Sequence, residues 1–454
     1  MSFEPSMLPQ ILPEYYRRLF PFKPLCKWLS YSEKASSYFA QREFAFILED
    51  DVHLRYRSFN DVLEFEKELC KISPYKLDIG AVYNHRPKDN KKFTDFRATE
   101  RELVFDIDLT DYDGIRRCCS EANICRKCWR WITTAMKVLD YLLKEHFGFE
   151  HRLWVFSGRR GVHCWVADSQ ARKLTNVGRS AVAEYLSLIS GDQKVVTIAS
   201  KKGFVHPMIE DAYRLIMESG EVDKMIVEQG WLNSEQGLLP LLEGCTDVNV
   251  RNELNSIISE LVSVETVEQR WQALRIKLDK IKRNEMAKDG VELCQAASSG
   301  AMNHFRGFVL QHTYPRLDVN VSTGTNHLLK SPFCIHPKTG CVAVPITLAQ
   351  ATHLNLETLP RVDRLMSELS KVRHDEEQTK NRKVLGNEQH PSSDRIVQEQ
   401  KTCIFLKNPH LALDNGIGHS IGGWADRARA QGRDGERVQK RDRERCCPNG
   451  ATQP

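Results

Sequence analysis

At 454 residues the chain is long enough for about three domains, or for one large domain with an insertion and a tail. Its composition, 41% hydrophobic and 28% charged, is that of a globular protein, and no apolar run approaches the ~18 residues of a membrane span, which excludes a transmembrane protein. A net charge of +5 neither requires nor excludes a nucleic-acid partner, and the N-terminus lacks the basic-then-apolar pattern of a secretion signal, which points to an intracellular protein.

From Pro9 to about Phe59, aromatic and basic residues (Tyr15, Tyr16, Arg17, Arg18, Phe20, Phe22, Trp28) predict helices packed on a core and leading into a strand at Phe44 to Leu48. Leu103, Phe105, Ile107 and Leu109 alternate with Val104, Asp106 and Asp108, the pattern of a half-buried strand. Cys118-Cys119-x5-Cys125-x2-Cys128 gathers four thiols with the final pair spaced for tetrahedral zinc, and a closed four-thiolate shell is structural rather than catalytic. Arg152 to Phe156 and Val162 to Val166 flank Ser157-Gly-Arg-Arg-Gly161, which reads as a hairpin with a cationic tip.

From about Gly191 to Gly300 the periods become helical, as in Trp271, Leu274, Ile276, Leu278 and Ile281, and predict a helical insertion. Leu317 to Val321 predicts another strand, with Asp318 and Asn320 on its polar face, followed by basic residues at Asn326-His-Leu-Leu-Lys330 and His336-Pro-Lys338. After about Lys371 the apolar pattern fades. The stretch 426–445 holds eight Lys/Arg against five Asp/Glu, so the tail reads as disordered and the folded body as near neutral. Any nucleic-acid surface is then local.

Asp106 and Asp108, at i and i+2 of one strand, leave the same face and repel unless they share a cation. A lone D-x-D is most often a solvated strand edge. Asp318 and the cationic hairpin favour a two-metal site for phosphoryl chemistry instead. Two guanidinium groups, a hydroxyl and an imidazole on a glycine-flanked turn suit a triphosphate. A two-metal nuclease would use the same carboxylates with little need of that cradle, and a zinc-containing nucleic-acid scaffold would gain nothing from three aligned aspartates.

The ordered series from Tyr15-Tyr-Arg-Arg-Leu-Phe20 through Val104-Phe-Asp-Ile-Asp108, Cys118 to Cys128, Ser157 to His163, and Pro315-Arg-Leu-Asp318 to Asn326-His-Leu-Leu-Lys-Ser-Pro332 resembles the catalytic small subunits of the archaeal and eukaryotic primase family, the eukaryotic ones above all. It covers roughly Met1 to Lys371; after about Arg382 the family's helical ending is not matched. The resemblance implies the α/β primase fold: a mixed curved sheet with flanking helices, a zinc motif and a helical insertion. It divides the chain into a catalytic core at 1–190 and 301–371, an insertion at 191–300 and a tail at 372–454. It implies a DNA-templated RNA polymerase that makes primers for DNA replication in the nucleus, with no membrane association. Its partners would be a large primase subunit in a heterodimer, an alpha-type DNA polymerase complex, single-stranded DNA template and ribonucleoside triphosphates.

Carried over by resemblance, Asp106, Asp108 and Asp318 hold two Mg²⁺ or Mn²⁺, and Glu43 joins Asp106 and Asp108 as a catalytic acid. One Zn²⁺ falls to Cys118, Cys119, Cys125 and Cys128. Nucleotide contacts fall to Asp106, Asp108, Ser157, Arg159, Arg160, His163, His327, Leu328, Leu329, Lys330 and His336, with Asp78 and Arg55 near the sugar.

Overall fold

In the computed structural model the structure describes residues 3–31, 35–189, 198, 205–289 and 300–371. The tail expected at 372–454 lies outside the described residues. The N-terminal aromatics form two helices, Leu8–Arg18 and Phe22–Ser30. Leu8, Leu12, Tyr15 and Tyr16 share one buried face of the first. Their phenols are satisfied: Tyr15 donates to the Phe333 carbonyl at 2.7 Å and Tyr16 to the Pro74 carbonyl at 2.8 Å.

The described strands are β1 (Arg42–Ile47), β2 (His53–Arg57), β3 (Lys76–Tyr83), β4 (Ala98–Glu100), β5 (Leu103–Asp108), β6 (Arg152–Phe156), β7 (Gly161–Val166) and β8 (Leu329–Lys330). They form two sheets. One runs β2–β1–β3–β4 with β8 also on β3, and the other runs β5–β7–β6. In place of the single mixed sheet expected, every pairing between these strands is antiparallel, because short turns after β1 and β6 fold each strand back on its predecessor.

Glu102, next to β5, ties the two sheets together. Arg42 on β1 grips both its oxygens at 2.8 Å, Arg101 reaches it at 3.1 Å and Tyr31 donates to it at 2.7 Å, all in the core. Burial alone would raise the Glu102 carboxyl, but Arg42 and Arg101 hold it well below the usual carboxylate range. Removing one member would strand a buried charge, at a cost of about 3–5 kcal/mol.

The Arg126–Glu145 helix packs into the core, where Trp131 donates to the His312 carbonyl at 2.7 Å. Beyond it come the helices Pro207–Glu218, Glu221–Gln229, Val248–Val262 and Val267–Asp289. In the last, Trp271, Leu274 and Leu278 are buried while Ile276 is 65% exposed. At 3.6 residues per turn, Ile276 cannot share their face, which corrects the expected apolar stripe. No helix among the described residues is long and apolar enough to cross a membrane.

The strand expected at 317–321 is instead the start of a short helix, Val319–Thr323. The Asp318 carboxylate caps it, accepting from the Asn320 N–H at 3.0 Å. Val321 is then buried while Val319 is 36% exposed, so the apolar residues at odd positions do not share a face. Over five residues alternation does not distinguish the two conformations.

Candidate active site

β5 delivers Asp106 and Asp108 to one side of the second sheet, half-buried, while Leu103, Phe105 and Ile107 enter the core on the other. Val104 is buried as well, because the Val319–Thr323 helix covers that end and Ser322 donates to the Val104 carbonyl at 2.6 Å. The backbone N–H of Asp318 donates to the Asp106 carbonyl at 3.3 Å, which brings the third aspartate beside the strand. All three line a cleft of about 690 Å³ together with Thr110, Asp111 and Arg316.

The cleft's electrostatics follow from this crowding. Burial, then the charges of Asp108 and Asp318, push the Asp106 carboxyl up to about 7. Asp111 rises to about 6 for the same reasons in the same order. Asp108 goes the other way: burial raises it, but hydrogen bonds from Arg160 and Thr110 outweigh that and lower it. Arg160 Nε sits 2.6 and 2.9 Å from the two Asp108 oxygens. Oxygen-only donors repelling one another in a cleft suit a hard divalent cation.

Asp111 and Arg316 are absent from the sequence-based set. The available signal for the first is the D-x-D-x-x-D spacing: a tight turn, Leu109–Tyr112, capped by Asp108, brings the next carboxylate back to the cleft. Arg316 is held by its N–H on the Tyr112 hydroxyl at 2.9 Å and its guanidinium on the Asp111 carbonyl at 2.7 Å.

β5 pairs with β7 so that Asp106 faces His163 and Asp108 faces Gly161. The turn from Ser157 to Gly161 therefore projects beside the carboxylates. Gly158 has φ +89°, and a Cβ there would lie 2.8 Å from that of His336; at Gly161 a Cβ would lie 2.1 Å from the Ile107 carbonyl oxygen. The turn's backbone is fixed by these approaches and by Lys330, whose ammonium donates to the Ser157 carbonyl at 2.9 Å. The Ser157 hydroxyl accepts from the Gly161 N–H at 3.1 Å, and Arg159 is half-buried beside it.

The histidines of this region are less basic than the sequence suggested. Burial, then Lys330, lowers both His163 and His336 to about 3, so near neutrality the cradle's positive charge comes from Arg159, Arg160 and Lys330. His163 Nε2 lies 3.6 Å from Asp106 Oδ1 while its Nδ1 is buried without a hydrogen-bond partner. His327 is lowered by burial and by Arg101, with Asp318 opposing. Burial depresses Lys330 as well, against Cys334, Asp78 and Asp106. Asp78, paired with Lys330 across β3 and β8, is raised by burial, with Lys330 opposing. Leu329 is a core side chain, and Leu328 packs over Gly80.

Glu43 and Arg55 stand apart, on the first sheet. Glu43 is fully buried and does not line the aspartate cleft. Arg55 holds it with two parallel bonds of 3.0 and 3.1 Å, Tyr83 donates at 3.0 Å and the Tyr56 N–H at 3.1 Å. Arg55 also donates to the Asn326 carbonyl at 3.3 Å, next to His327. Glu43 is therefore the anchor of Arg55 rather than an open carboxylate.

The four cysteines present sulfurs that all lie within 4.8 Å of one another, a set that could hold a metal ion. Four sulfurs at that spacing suit Zn²⁺. Cys125 caps the Arg126–Glu145 helix; burial raises its thiol, but hydrogen bonds from the Cys128 backbone, the Cys119 side chain and the Lys127 backbone together outweigh that and lower it. Gln229 accepts from the Arg117 and Cys118 N–H groups at 2.8 and 3.2 Å, tying this segment to the neighbouring helices.

The profile of the DNA primase small subunit family matches residues 105–348. The DNA primase small subunit of Caenorhabditis elegans is 48% identical over 394 residues, covering 85% of this chain and 95% of that protein. Those of Drosophila melanogaster and Saccharomyces cerevisiae are 39% and 35% identical, covering 81% and 79% of this chain and 83% and 85% of their own length. The matched span contains the aspartates, the cysteine cluster and the arginine turn, and on this agreement the chain belongs to the DNA primase small subunit family.

Proposed function

We propose that the chain is the catalytic subunit that makes short RNA primers for DNA replication, joining ribonucleotides on a single-stranded DNA template. The observation that carries the reading is the β5–β7 register, which makes the acidic cleft and the arginine turn parts of one structure. Asp106, Asp108 and Asp318 would hold two Mg²⁺ or Mn²⁺, which supply charge neutralisation on the phosphates and activation of the attacking 3′-hydroxyl. Arg160, which holds Asp108 through Nε, would exchange it for a phosphate oxygen as the nucleotide enters, bringing its planar fork into use. Arg159 and Lys330 add charge, while neutral His163 and His336 and the Ser157 hydroxyl offer hydrogen bonds. Leu328 and Leu329 close the apolar side. Arg55, aimed by Glu43, and Asp78 would meet the sugar, near His327.

The cysteine cluster would hold one structural Zn²⁺. In this reading 1–190 and 301–371 form the catalytic core around a helical insertion at 191–300, a large primase subunit and an alpha-type DNA polymerase complex are the partners, and the nucleus is the place of action. Incubation with single-stranded DNA, ribonucleotides and Mn²⁺ should yield new short RNA. Degraded DNA would make the protein a nuclease, and neither product would make it a scaffold.

A further inference from the structure

The loop joining β3 to β4 carries five basic residues, Arg86, Lys88, Lys91, Lys92 and Arg97, against Asp89 and Asp95, in a chain whose net charge is only +5. All five are exposed. Lys88 pairs with Glu64 at 3.4 Å and Lys92 with Asp89 at 2.6 Å, while Arg86, Lys91 and Arg97 form no ion pair among the described residues. The loop is built rather than slack. The Asn84 side chain donates to the Asp95 carbonyl and carboxylate at 3.0 and 3.1 Å and accepts from the Arg97 N–H at 2.9 Å.

Aromatic rings run through it toward the nucleotide site. His85 stacks on Phe93 with centroids 3.7 Å apart, Phe96 stacks on Tyr83 at 4.3 Å, and Tyr56 meets Phe96 edge-on at 6.0 Å. Tyr83 then bonds Glu43, and the Arg55 guanidinium lies 5.1 Å over the Tyr56 ring. At the outer end Phe93 is 40% exposed.

We propose that this loop is a docking surface for the unpaired template strand, with phosphates on Arg86, Lys91 and Arg97 and a base on Phe93. The proposal rests on the reading of the chain as a template-directed polymerase. Free cations around a rigid, exposed ring match a single strand, whose bases offer open faces. A duplex hides those faces, and the carboxylates of an acidic peptide would pair with the cations without stacking on the ring.

The test is the anisotropy of a labelled 20-nucleotide oligo(dT) titrated with full-length protein, without nucleotide and at several salt concentrations. Phe93→Ala should weaken binding by about five- to a hundredfold and Phe93→Trp should preserve it. Replacing Arg86, Lys91 and Arg97 together by Ala should flatten the slope of log affinity against log salt by about 2. All three are exposed, so their thermal unfolding should match that of the native chain, and single Lys91→Glu is a second variant of the same surface. Unchanged affinity and slope in the triple variant and in Lys91→Glu would overturn the assignment, as would equal Phe93→Ala losses on oligo(dT) and on a duplex of equal length. The binding titration is set beside the RNA-synthesis assay of the native protein. Strand binding lost with these residues in a protein that makes no RNA would refute the polymerase reading alone; RNA synthesis with strand binding indifferent to them would refute the docking surface alone.

Discussion

The two clusters of candidate metal ligands in this molecule are built on opposite plans. The four sulfurs come from one short segment ending in the first turn of a helix and lie within 4.8 Å of one another. The cleft carboxylates come from β5 and from the far half of the chain, and Asp108 is already occupied by Arg160 at 2.6 Å. The sulfur set asks only for an ion. The carboxylate set lines an open cleft, its repulsion partly answered by a guanidinium that, in the proposed function, a triphosphate would take away. In the proposed function the first would stay filled and the second would cycle.

The comparison breaks most sharply on Asp108→Asn, which keeps the side chain's shape and removes a charge. Primer synthesis should fall about a hundredfold or more with thermal unfolding little changed; a fully active variant would erase the distinction. Arg160→Ala comes next. The apparent KM for ribonucleotides should rise about ten- to a hundredfold with kcat less affected, while Mn²⁺ binding to the nucleotide-free protein tightens because Asp108 is released. A KM defect in template rather than nucleotide would move the turn out of the nucleotide pocket.

For the sulfur plan, Cys125→Ser should abolish co-purification of one equivalent of zinc and lower Tm, with activity falling only as the fold loosens. Elemental analysis finding no zinc in the native protein would end that half of the contrast. The smallest effect is a pH dependence of stability. Asp106 keeps its proton to about pH 7 in the folded chain but loses it near 3.8 when unfolded. In chelator, stability should therefore decline as pH rises through that window. Asp106→Asn should flatten the decline and raise Tm at pH 8 by roughly 1–3 °C, a gain that added Mn²⁺ should cancel.

What was legible in the sequence is what local spacing encodes. The 103–109 alternation gives β5, and the paired glycines give the β6–β7 turn, although the closeness of Gly161 to Ile107 belongs to a partner strand. Ile276 and the 317–321 segment depart from the sequence expectation because short apolar patterns are compatible with more than one placement. Asp111 and Arg316 escaped because their placement depends on a turn and on Tyr112. Glu43 was reached by resemblance alone, and nothing nearby in sequence says that Arg55, Tyr56 and Tyr83 close around it.

The bond from Tyr15 to the Phe333 carbonyl spans 318 positions. On a ribosome adding roughly 5 to 20 residues per second, the Tyr15 hydroxyl waits about 15 to 60 seconds before its acceptor is made. Tyr16, on the same face, meets its own acceptor, the Pro74 carbonyl, only 58 positions on, so the face is completed in two stages. The opening segment is thus locked in two steps separated by most of the chain, and a chain arrested before Phe333 should leave the Tyr15 side of the first helix more open to proteolysis than the native chain.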